Sequence, residues 1–450
     1  MLNPLVLLAL ATALVIGAIV VLRVNAFLAL IGSAMVVSLL APGAPAERIT
    51  RVAEGFARTA GSIGIIIALA AIVGAAMMES GASDRIVTGF VRLLGEERGA
   101  IALGATAFVL SIPVFFDTVF YLLVPLARSM HARSGRHYLR NLMAIAGGAA
   151  ATHTLVPPTP GPLAVSSALG VELGTMVLVG LVVAIPAAIA GMLFAYWTDR
   201  RMPLDPAPSE QAPASASAAA VPRPVSLGWA ITPIVLPVVL IAANTVATAV
   251  HATPLLPFTS VLGNPNVALL LATAVATALY VRAREASRAD VGTLSEQALT
   301  SAGVIILITA VGGAFGATLQ AAQVGPAIQA LFPSVGPGAG FALLLLAFGI
   351  SSLIKIAQGS STVAMITTAG MLGAVVTCAA LPFHPVYVAT AISGGALVGA
   401  WMNDSGFWVF SRLGGVSERA TLLTWTPIAA VVGSTAFVTT VILAVLVPLR

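Results

Sequence analysis

Apolar segments, separated by short polar connections, make up most of this chain. A helix needs about 17–25 apolar residues to cross the hydrocarbon core of a bilayer. Ten segments meet this requirement, and two longer ones, 99–127 and 339–380, carry polar residues in their middle. The ten predicted spans are 5–22, 24–41, 61–79, 141–170, 175–197, 228–250, 267–281, 298–319, 386–410 and 421–448.

The two longer segments are interrupted by residues that a lipid-facing helix does not tolerate. Pro113 stands ahead of Asp117 in the first, and the run from Lys355 to Val363, Lys-Ile-Ala-Gln-Gly-Ser-Ser-Thr-Val, divides the second. Polar groups at membrane depth are tolerated only where they line a cavity or a binding site. Each segment is therefore predicted to be a re-entrant helical hairpin, with Pro113 to Thr118 at the tip of the first.

Two of the predicted spans are interrupted as well. Residues 152–162 include four prolines within six positions, which no continuous helix tolerates. Residues 401–407 place Asn, Asp, Ser and Gly inside an otherwise apolar span. Both helices are predicted to unwind there, which exposes backbone groups and half-helix N-termini whose positive dipole ends attract anions.

The polar interruptions recur at a nearly constant separation along the chain. Asp117 precedes Ser361 by 244 residues, and Thr159 precedes Asp404 by 245 residues. This offset predicts an internal repeat, with one copy over 1–198 and a second over 228–450. Between them, the Pro-, Ala- and Ser-rich stretch 199–227 is predicted to be a flexible cytoplasmic linker.

The distribution of basic residues predicts the orientation, because cytoplasmic loops carry an excess of Lys and Arg. With the N-terminus outside and both hairpins re-entrant, 16 of the 21 basic residues fall in cytoplasmic loops, whereas Arg48, Arg51, Arg58 and Arg450 fall outside. The hairpins then open to opposite sides. The predicted fold is an all-α polytopic membrane protein with two inverted repeats, about ten spans and two hairpins, which is the plan of many secondary transporters.

Composition supports a membrane protein and argues against other classes. Hydrophobic residues make up 59% of the 450 positions and charged residues 8%, whereas soluble domains are about a quarter charged. A basic stripe for nucleic acid is missing, and the single cysteine, Cys378, has no second thiol with which to form a disulfide or a metal site. No cofactor is expected. The N-terminal segment lacks the basic region of a secretory signal, so the first helix is predicted to remain in the mature protein.

The candidate chemistry lies in the interruptions. Lys355, the only lysine, is a candidate cation for a substrate carboxylate, or alternatively a structural partner for Asp117 or Asp404. Ionised acids are costly in the hydrocarbon region, so Asp404 and Asp117 are candidates for proton coupling, as is His153, which titrates in the physiological range. Neutral polar groups suit a polyhydroxylated solute, although capping of helix ends is their alternative role. The predicted substrate-binding residues are Lys355, Gln358, Gly359, Ser360, Ser361, Thr362, Thr159, Gly161 and Asn403.

Four motifs in these interruptions carry a family resemblance. They are Ile112-Pro-Val-Phe-Phe-Asp-Thr-Val119, His153-Thr-Leu-Val-Pro-Pro-Thr-Pro-Gly-Pro162, Ile356-Ala-Gln-Gly-Ser-Ser-Thr-Val-Ala364 and Met402-Asn-Asp-Ser-Gly-Phe-Trp408. Through these motifs the chain resembles the gluconate permease family (GntP type), the gluconate:proton symporters of the wider ion transporter superfamily. The resemblance covers nearly the whole chain except the linker.

The resemblance implies a secondary active transporter of the cell inner membrane, not an enzyme, that takes up gluconate or a related small hydroxylated monocarboxylate with a proton. Known folds of the superfamily work by an elevator mechanism as homodimers. In the family the position of Lys355 is usually arginine, which grips a carboxylate with two parallel bonds where lysine offers a point charge. The acid is therefore open between gluconate, idonate, fructuronate, glycerate and D-serine.

Three other functions are kept as alternatives. A sodium-coupled carrier of the same architecture would bind the ion through Ser361, Thr362 and unwound carbonyls, and would transport a carboxylate or D-serine. An intramembrane enzyme is a different class, against which neither a His-Glu-x-x-His zinc pattern nor a Gly-x-Ser-x-Gly elbow is present. A channel would not accumulate its solute against a gradient.

Overall fold

The computed structural model describes residues 3–18, 22, 24–94, 98–134, 137–202, 225–249, 251–324, 327, 337–378, 381–402 and 404–449. Within these ranges the regular secondary structure is entirely helical, which confirms the predicted all-α class. Six helices are long and apolar enough to cross a membrane, and other apolar helices are shorter. The predicted linker falls largely on 203–224, outside the described residues.

The helices range from seven to 35 residues in length. In chain order they are α1 (Pro4–Ile16), α2 (Ala26–Leu40), α3 (Pro45–Glu79), α4 (Ala82–Leu94), α5 (Gly99–Leu110), α6 (Phe116–Ser134), α7 (Tyr138–Leu155), α8 (Pro160–Ala168), α9 (Leu173–Arg201), α10 (Leu227–Ala249), α11 (Leu256–Leu262), α12 (Pro265–Arg284), α13 (Arg288–Ala321), α14 (Pro337–Gln358), α15 (Ser361–Cys378), α16 (Val386–Gly395), α17 (Ser405–Gly414) and α18 (Glu418–Leu446). Pairs of shorter helices surround the predicted interruptions, whereas α3 and α13 are long and continuous.

The two longest helices begin before the spans predicted for them. The predicted spans 61–79 and 298–319 cover the apolar parts of α3 and α13, and each helix continues N-terminally through polar turns. In α13 this start is stabilised by a capping box, in which the side chains of Ser287 and Asp290 each accept a hydrogen bond from the other's backbone N–H. The hydrogen bonds from the Ser287 side chain and backbone lower the pKa of Asp290 below its ordinary value.

Each of the two longer predicted segments forms two helices with a short connection. Residues 111–115 join α5 to α6, and residues 359–360 join α14 to α15. With 12 residues, or about 18 Å of length, α5 is too short to cross the hydrocarbon core. Gly359 has a φ of 88°, which glycine adopts without strain. Asp117 and Thr118 lie in the first turn of α6 and not in the connection, because the helix resumes at Phe116.

Both interrupted spans are divided into half-helices. Residues 156–159 separate α7 from α8, and Pro160 takes the first position of α8, where its missing N–H costs nothing. Residues 396–404 separate α16 from α17, and the Asp404 side chain caps α17 by accepting from the Gly406 N–H at 3.2 Å. The unwinding predicted for these two spans is therefore present.

The second half of the chain repeats the helix pattern of the first. Helices α6 and α15 begin at positions 116 and 361, and α8 and α17 begin at positions 160 and 405, so each pair is 245 residues apart. Helices α9 and α18 both contain 29 residues and begin at positions 173 and 418, again 245 apart. The offset read from polar residues thus recurs in helix boundaries.

The helices pack into two groups that meet at the interruptions. The long helices α3 and α13 lie against each other, with α2 and α12 alongside. In the second group α7 contacts α5, α9 and α18, while α16 contacts α14 and α18. Helix α15 contacts both α13 and α8 and so joins the two groups. Glycine permits some of these contacts: a Cβ added to Gly148 of α7 would come within 2.3 Å of the Gly104 carbonyl oxygen of α5.

Candidate functional site

The four interruptions line a single cavity of about 270 Å³. This volume is close to the lower limit of the range typical of small-molecule sites. The walls come from the α5–α6 and α14–α15 connections, the last turn of α7, the first turn of α17, and α18. Six predicted site residues, separated by up to 287 positions in the chain, line it: Asp117, His153, Ser360, Ser361, Thr362 and Asp404.

Lys355 lies behind the wall of this cavity. Its side chain is 1% exposed, and its Nζ lies 3.1 Å from Oδ1 of Asp404 and also donates to the Gly359 carbonyl. The ion pair joins the last turn of α14 to the N-terminus of α17. Of the two roles predicted for Lys355, this geometry corresponds to the structural partner of Asp404, with the ammonium placed close to any anion in the cavity.

The carboxylate of Asp404 is surrounded by donors. In addition to Lys355, the indole N–H of Trp425 donates to Oδ2 at 3.0 Å, and the N–H of Gly406 donates to Oδ1. An ionised carboxylate can only accept hydrogen bonds, and hydrogen bonds to a charged group are stronger than neutral ones. The environment therefore suits a fixed negative charge that Lys355 balances.

Asp117 faces the same cavity in a different environment. It lies in the first turn of α6, partly buried, and no hydrogen bond joins its side chain to another residue of the described ranges. Both Lys355 and Asp404 are close enough for their charges to act on it. Two carboxylates consequently share one lysine at this site.

His153 brings a ring nitrogen to the cavity. It lies in the last turn of α7, with its ring centroid 5.9 Å from that of Phe115. Its Nδ1 is buried and has no hydrogen-bond partner within the part of the chain that the structure describes. A buried polar atom without a partner costs free energy, so a ligand that bonded to Nδ1 would recover that loss.

Hydroxyl groups and helix ends complete the wall. Ser360, Ser361 and Thr362 stand at the N-terminus of α15, and Ser405 stands at the N-terminus of α17. The Ser360 hydroxyl accepts from the Val363 N–H at 3.3 Å, which is the capping role that the sequence left as its alternative. Two helix N-termini with positive dipole ends therefore face the cavity, a favourable arrangement for an anion.

Two predicted site residues lie away from this wall. The hydroxyl of Thr159 donates to the Val156 carbonyl at 2.7 Å, within the break between α7 and α8. Gly161 packs against α15, where a Cβ would approach the terminal methyl of Met365 to 2.0 Å. In this arrangement both residues stabilise the broken helix.

The other predicted ligands lie elsewhere. Gly359 is buried at the α14–α15 connection, where its carbonyl accepts from Lys355. The side chain of Gln358 and the whole of Asn403 lie outside the described residues.

Some cavity residues were not identified from the sequence. Trp425, which holds Asp404, lies four residues into the predicted span 421–448, a position where the aromatic belt makes tryptophan ordinary. Thr154 and Ser405 belong to the interruptions, but their types did not set them apart. Ile308 and Ile366 carry no polar signal at all.

The fold and the cavity define a class of protein. The structure resembles that of the YdaH transporter of Alcanivorax borkumensis, with a TM-score of 0.66 over 94% of this chain and 98% of that one, at 15% sequence identity. A helical protein of this fold, with interrupted helices around a polar cavity, is a multi-pass membrane transporter.

Sequence comparison identifies the family. The family model described as GntP family permease matches residues 3–447, and the chain belongs to this family. It is 34% identical to a gluconate permease of Pseudomonas aeruginosa, over 92% of both chains. It is 33% identical to the inner membrane permease YgbN of Escherichia coli, over 93% of both chains. The protein is thus a permease of the inner membrane, as the sequence motifs predicted.

Proposed function

We propose that this permease takes up gluconate, or a related small hydroxylated monocarboxylate, together with a proton. The observation that carries the proposal is the cavity itself, where two carboxylates share one buried lysine beside hydroxyl groups and two helix N-termini. Relatives named gluconate permease support the class of substrate.

The substrate carboxylate binds at the N-termini of α15 and α17. Backbone N–H groups and the hydroxyls of Ser360, Ser361 and Thr362 donate to it or to the hydroxyls of the acid, and the charge of Lys355 lies directly behind. His153 meets a substrate hydroxyl through its buried Nδ1. Thr159, Gly161, Gln358 and Asn403 stay candidates for an arrangement in which the site is occupied.

Coupling follows from the charges at the site. With Asp117, Asp404 and Lys355 ionised, the site carries one net negative charge, and a bound monocarboxylate adds a second. A proton taken up by Asp117 removes this excess, so proton and substrate each favour the binding of the other. Asp404 is the less suitable carrier because Lys355, Trp425 and Gly406 already stabilise its charge.

The sodium-coupled alternative meets a local difficulty. The carbonyl of Gly359, one of the unwound carbonyls that would ligate Na⁺, already accepts from the ammonium of Lys355. A second cation beside that ammonium would be repelled. Proton coupling is therefore the function that the charges favour.

We further propose that the chain works as an inverted-repeat elevator. The α5–α6 and α14–α15 pairs are re-entrant hairpins that open to opposite sides, and they move with α7, α8, α16 and α17 past the long helices α3 and α13. The common offset of 245 residues supports the repeat. Homodimerisation is proposed as well, and the mass of the purified protein in nanodiscs tests it.

The decisive test is uptake of radiolabelled gluconate into proteoliposomes with an inside-alkaline pH gradient and no sodium. We expect accumulation that a protonophore abolishes. Lys355→Met should abolish it too, because the variant keeps the length of the side chain and removes its charge, whereas Lys355→Arg should remain active.

Two results would change the proposal. Accumulation that follows a sodium gradient and survives collapse of the pH gradient would establish sodium coupling. Failure to accumulate gluconate, idonate, fructuronate, glycerate or D-serine under either gradient would remove the proposed function.

A further inference from the structure

A second cavity, larger than the first, lies between the two groups of helices. Its volume is about 370 Å³, and its walls come from α3 and α13 on one side and from α8 and α15 on the other. By the predicted orientation, this is the exterior half of the protein. None of the residues predicted from the sequence as site residues lines it.

The lining of this outer cavity combines three kinds of group. Seven glycines leave backbone amides and carbonyls uncovered. Side-chain polar groups come from Thr59, Ser62, Ser167, Thr309 and Gln320, with the hydroxyls of Ser62 and Ser167 3.3 Å apart. Arg58 is the one charged residue among the lining residues, and no acid is among them. A cation among uncharged donors and acceptors matches a small hydroxylated anion.

The outer cavity and the central cavity are neighbours. Ile366 lines both, and the consecutive residues Ile308 and Thr309 of α13 line the central and outer cavities respectively. Ile366 is 3% exposed and belongs to an apolar cluster that includes Ile63 and Leu163, with Ile308 packed against it. Two isoleucine side chains therefore stand between the two cavities.

We propose that the outer cavity is an external waiting site for the transported carboxylate, held there by Arg58 and the surrounding hydroxyls before it passes Ile366. The choice of a hydroxylated monocarboxylate rests on the proposed function. A positive charge at the mouth of an apolar, low-dielectric passage concentrates anions and raises their rate of arrival. The same arginine chemistry would also hold the phosphate of a lipid headgroup, so the experiments must distinguish the two.

The first experiment measures uptake kinetics in proteoliposomes as a function of ionic strength. Arg58→Gln should raise the substrate concentration for half-maximal uptake by about two- to five-fold, as expected for an exposed ionic contact, with the maximal rate unchanged. The difference should disappear in high salt, which screens exposed charges. Arg58→Lys should behave as the native protein.

The matched control is Arg51→Gln, which removes one positive charge from the same helix. Arg51 donates to the Pro42 carbonyl at 2.8 Å and does not line the outer cavity. Equal effects of Arg51→Gln and Arg58→Gln would reduce the result to the general surface charge and overturn the proposal. Unchanged kinetics in Arg58→Gln would overturn it as well.

The second experiment uses the chain's single cysteine to advantage. In a Cys378→Ala background, Ser167→Cys places one thiol in the outer cavity, and a membrane-impermeant anionic thiol reagent should label it from the exterior. Gluconate should protect this thiol, and should still do so when Lys355→Met has abolished transport. Persistence in that variant shows a site separate from the central one.

The outcomes separate the two proposals. Normal uptake without protection of the thiol overturns the waiting site and leaves the proposed function intact. Loss of all uptake in the native protein, with no hydroxy acid protecting the thiol, removes both. Absence of protection together with a lower thermal stability of Arg58→Gln in phospholipid bilayers assigns Arg58 to a lipid headgroup and also overturns the waiting site.

Discussion

At the scale of single residues, the two aspartates of the cavity differ in their surroundings. Sequence identified Asp117 and Asp404 as equal candidates for proton binding, because both interrupt apolar segments. In the structure Asp404 has an ammonium and two N–H donors around it, whereas Asp117 faces the cavity. The two residues should therefore respond differently to neutralisation.

Replacement of Asp117 by asparagine should uncouple transport. The amide imitates the protonated acid, so the substrate should bind without a proton and exchange across the membrane by counterflow. Accumulation driven by an inside-alkaline gradient should be lost. Counterflow and gradient-driven uptake in the same proteoliposomes measure the two properties, with Glu54→Gln, an exposed acid of α3, as the control. Undiminished gradient-driven accumulation in the variant would exclude Asp117 as the proton carrier.

Neutralising either member of the Lys355–Asp404 pair should destabilise the fold. Removing one partner of a buried ion pair typically costs about 3–5 kcal/mol because the other charge is left unpaired. Thermal unfolding of Lys355→Met, Asp404→Asn and the double variant forms a double-mutant cycle. The double variant should lose less stability than the sum of the single losses. Strictly additive losses would show that the two side chains do not interact energetically.

At the scale of helices, close backbone contacts fix the spacing of the second group. Gly148 of α7 packs on the backbone of α5, and Gly433 of α18 packs on that of α16, where a Cβ would come within 2.3 Å of the Gly394 carbonyl oxygen. A sequence pattern shows these glycines only as small residues in apolar segments. The neighbour that each glycine contacts is decided when the helices pack.

Gly148→Ala and Gly303→Ala should have opposite effects on stability. The added methyl group of Gly148→Ala would collide with the backbone of α5, and overpacking of this kind costs about 1–3 kcal/mol. At Gly303, within α13, nothing lies within 4 Å of the added Cβ, and alanine favours a helix over glycine by about 1 kcal/mol. Thermal unfolding in the same detergent compares them. A Gly148→Ala protein as stable as Gly303→Ala would contradict the close contact.

At the scale of the whole molecule, the proposed movement requires α8 to slide past α3. These helices meet where the hydroxyls of Ser62 and Ser167 are 3.3 Å apart. The glycine-rich lining of the outer cavity lies around the same contact. A covalent link at this point should hold the two groups of helices in one relative position.

A disulfide between Ser62→Cys and Ser167→Cys, in a Cys378→Ala background, should arrest transport. Uptake should fall in proportion to the extent of cross-linking and return when a reductant is added. Each single cysteine variant, oxidised in the same way, is the control. Full uptake by completely cross-linked protein would show that α3 and α8 remain together through the transport cycle, which would exclude the proposed elevator.

The sequence by itself determined the helical membrane class, the family and the positions of the breaks. Apolar segments of spanning length have only helical solutions in lipid, and prolines at 157–162 or a polar run at 355–362 cannot be accommodated in an uninterrupted lipid-facing helix. These are local or periodic properties, so they can be read along the chain.

Only the tertiary structure decided which polar groups meet. Lys355 and Asp404 are 49 positions apart, Trp425 carries no polar interruption, and the outer cavity is built mainly from glycines and small hydroxyl residues of four helices. Such sites depend on the relative placement of helix faces distant in sequence. That placement is set by side-chain packing between helices, which hydrophobic periodicity along one segment does not encode.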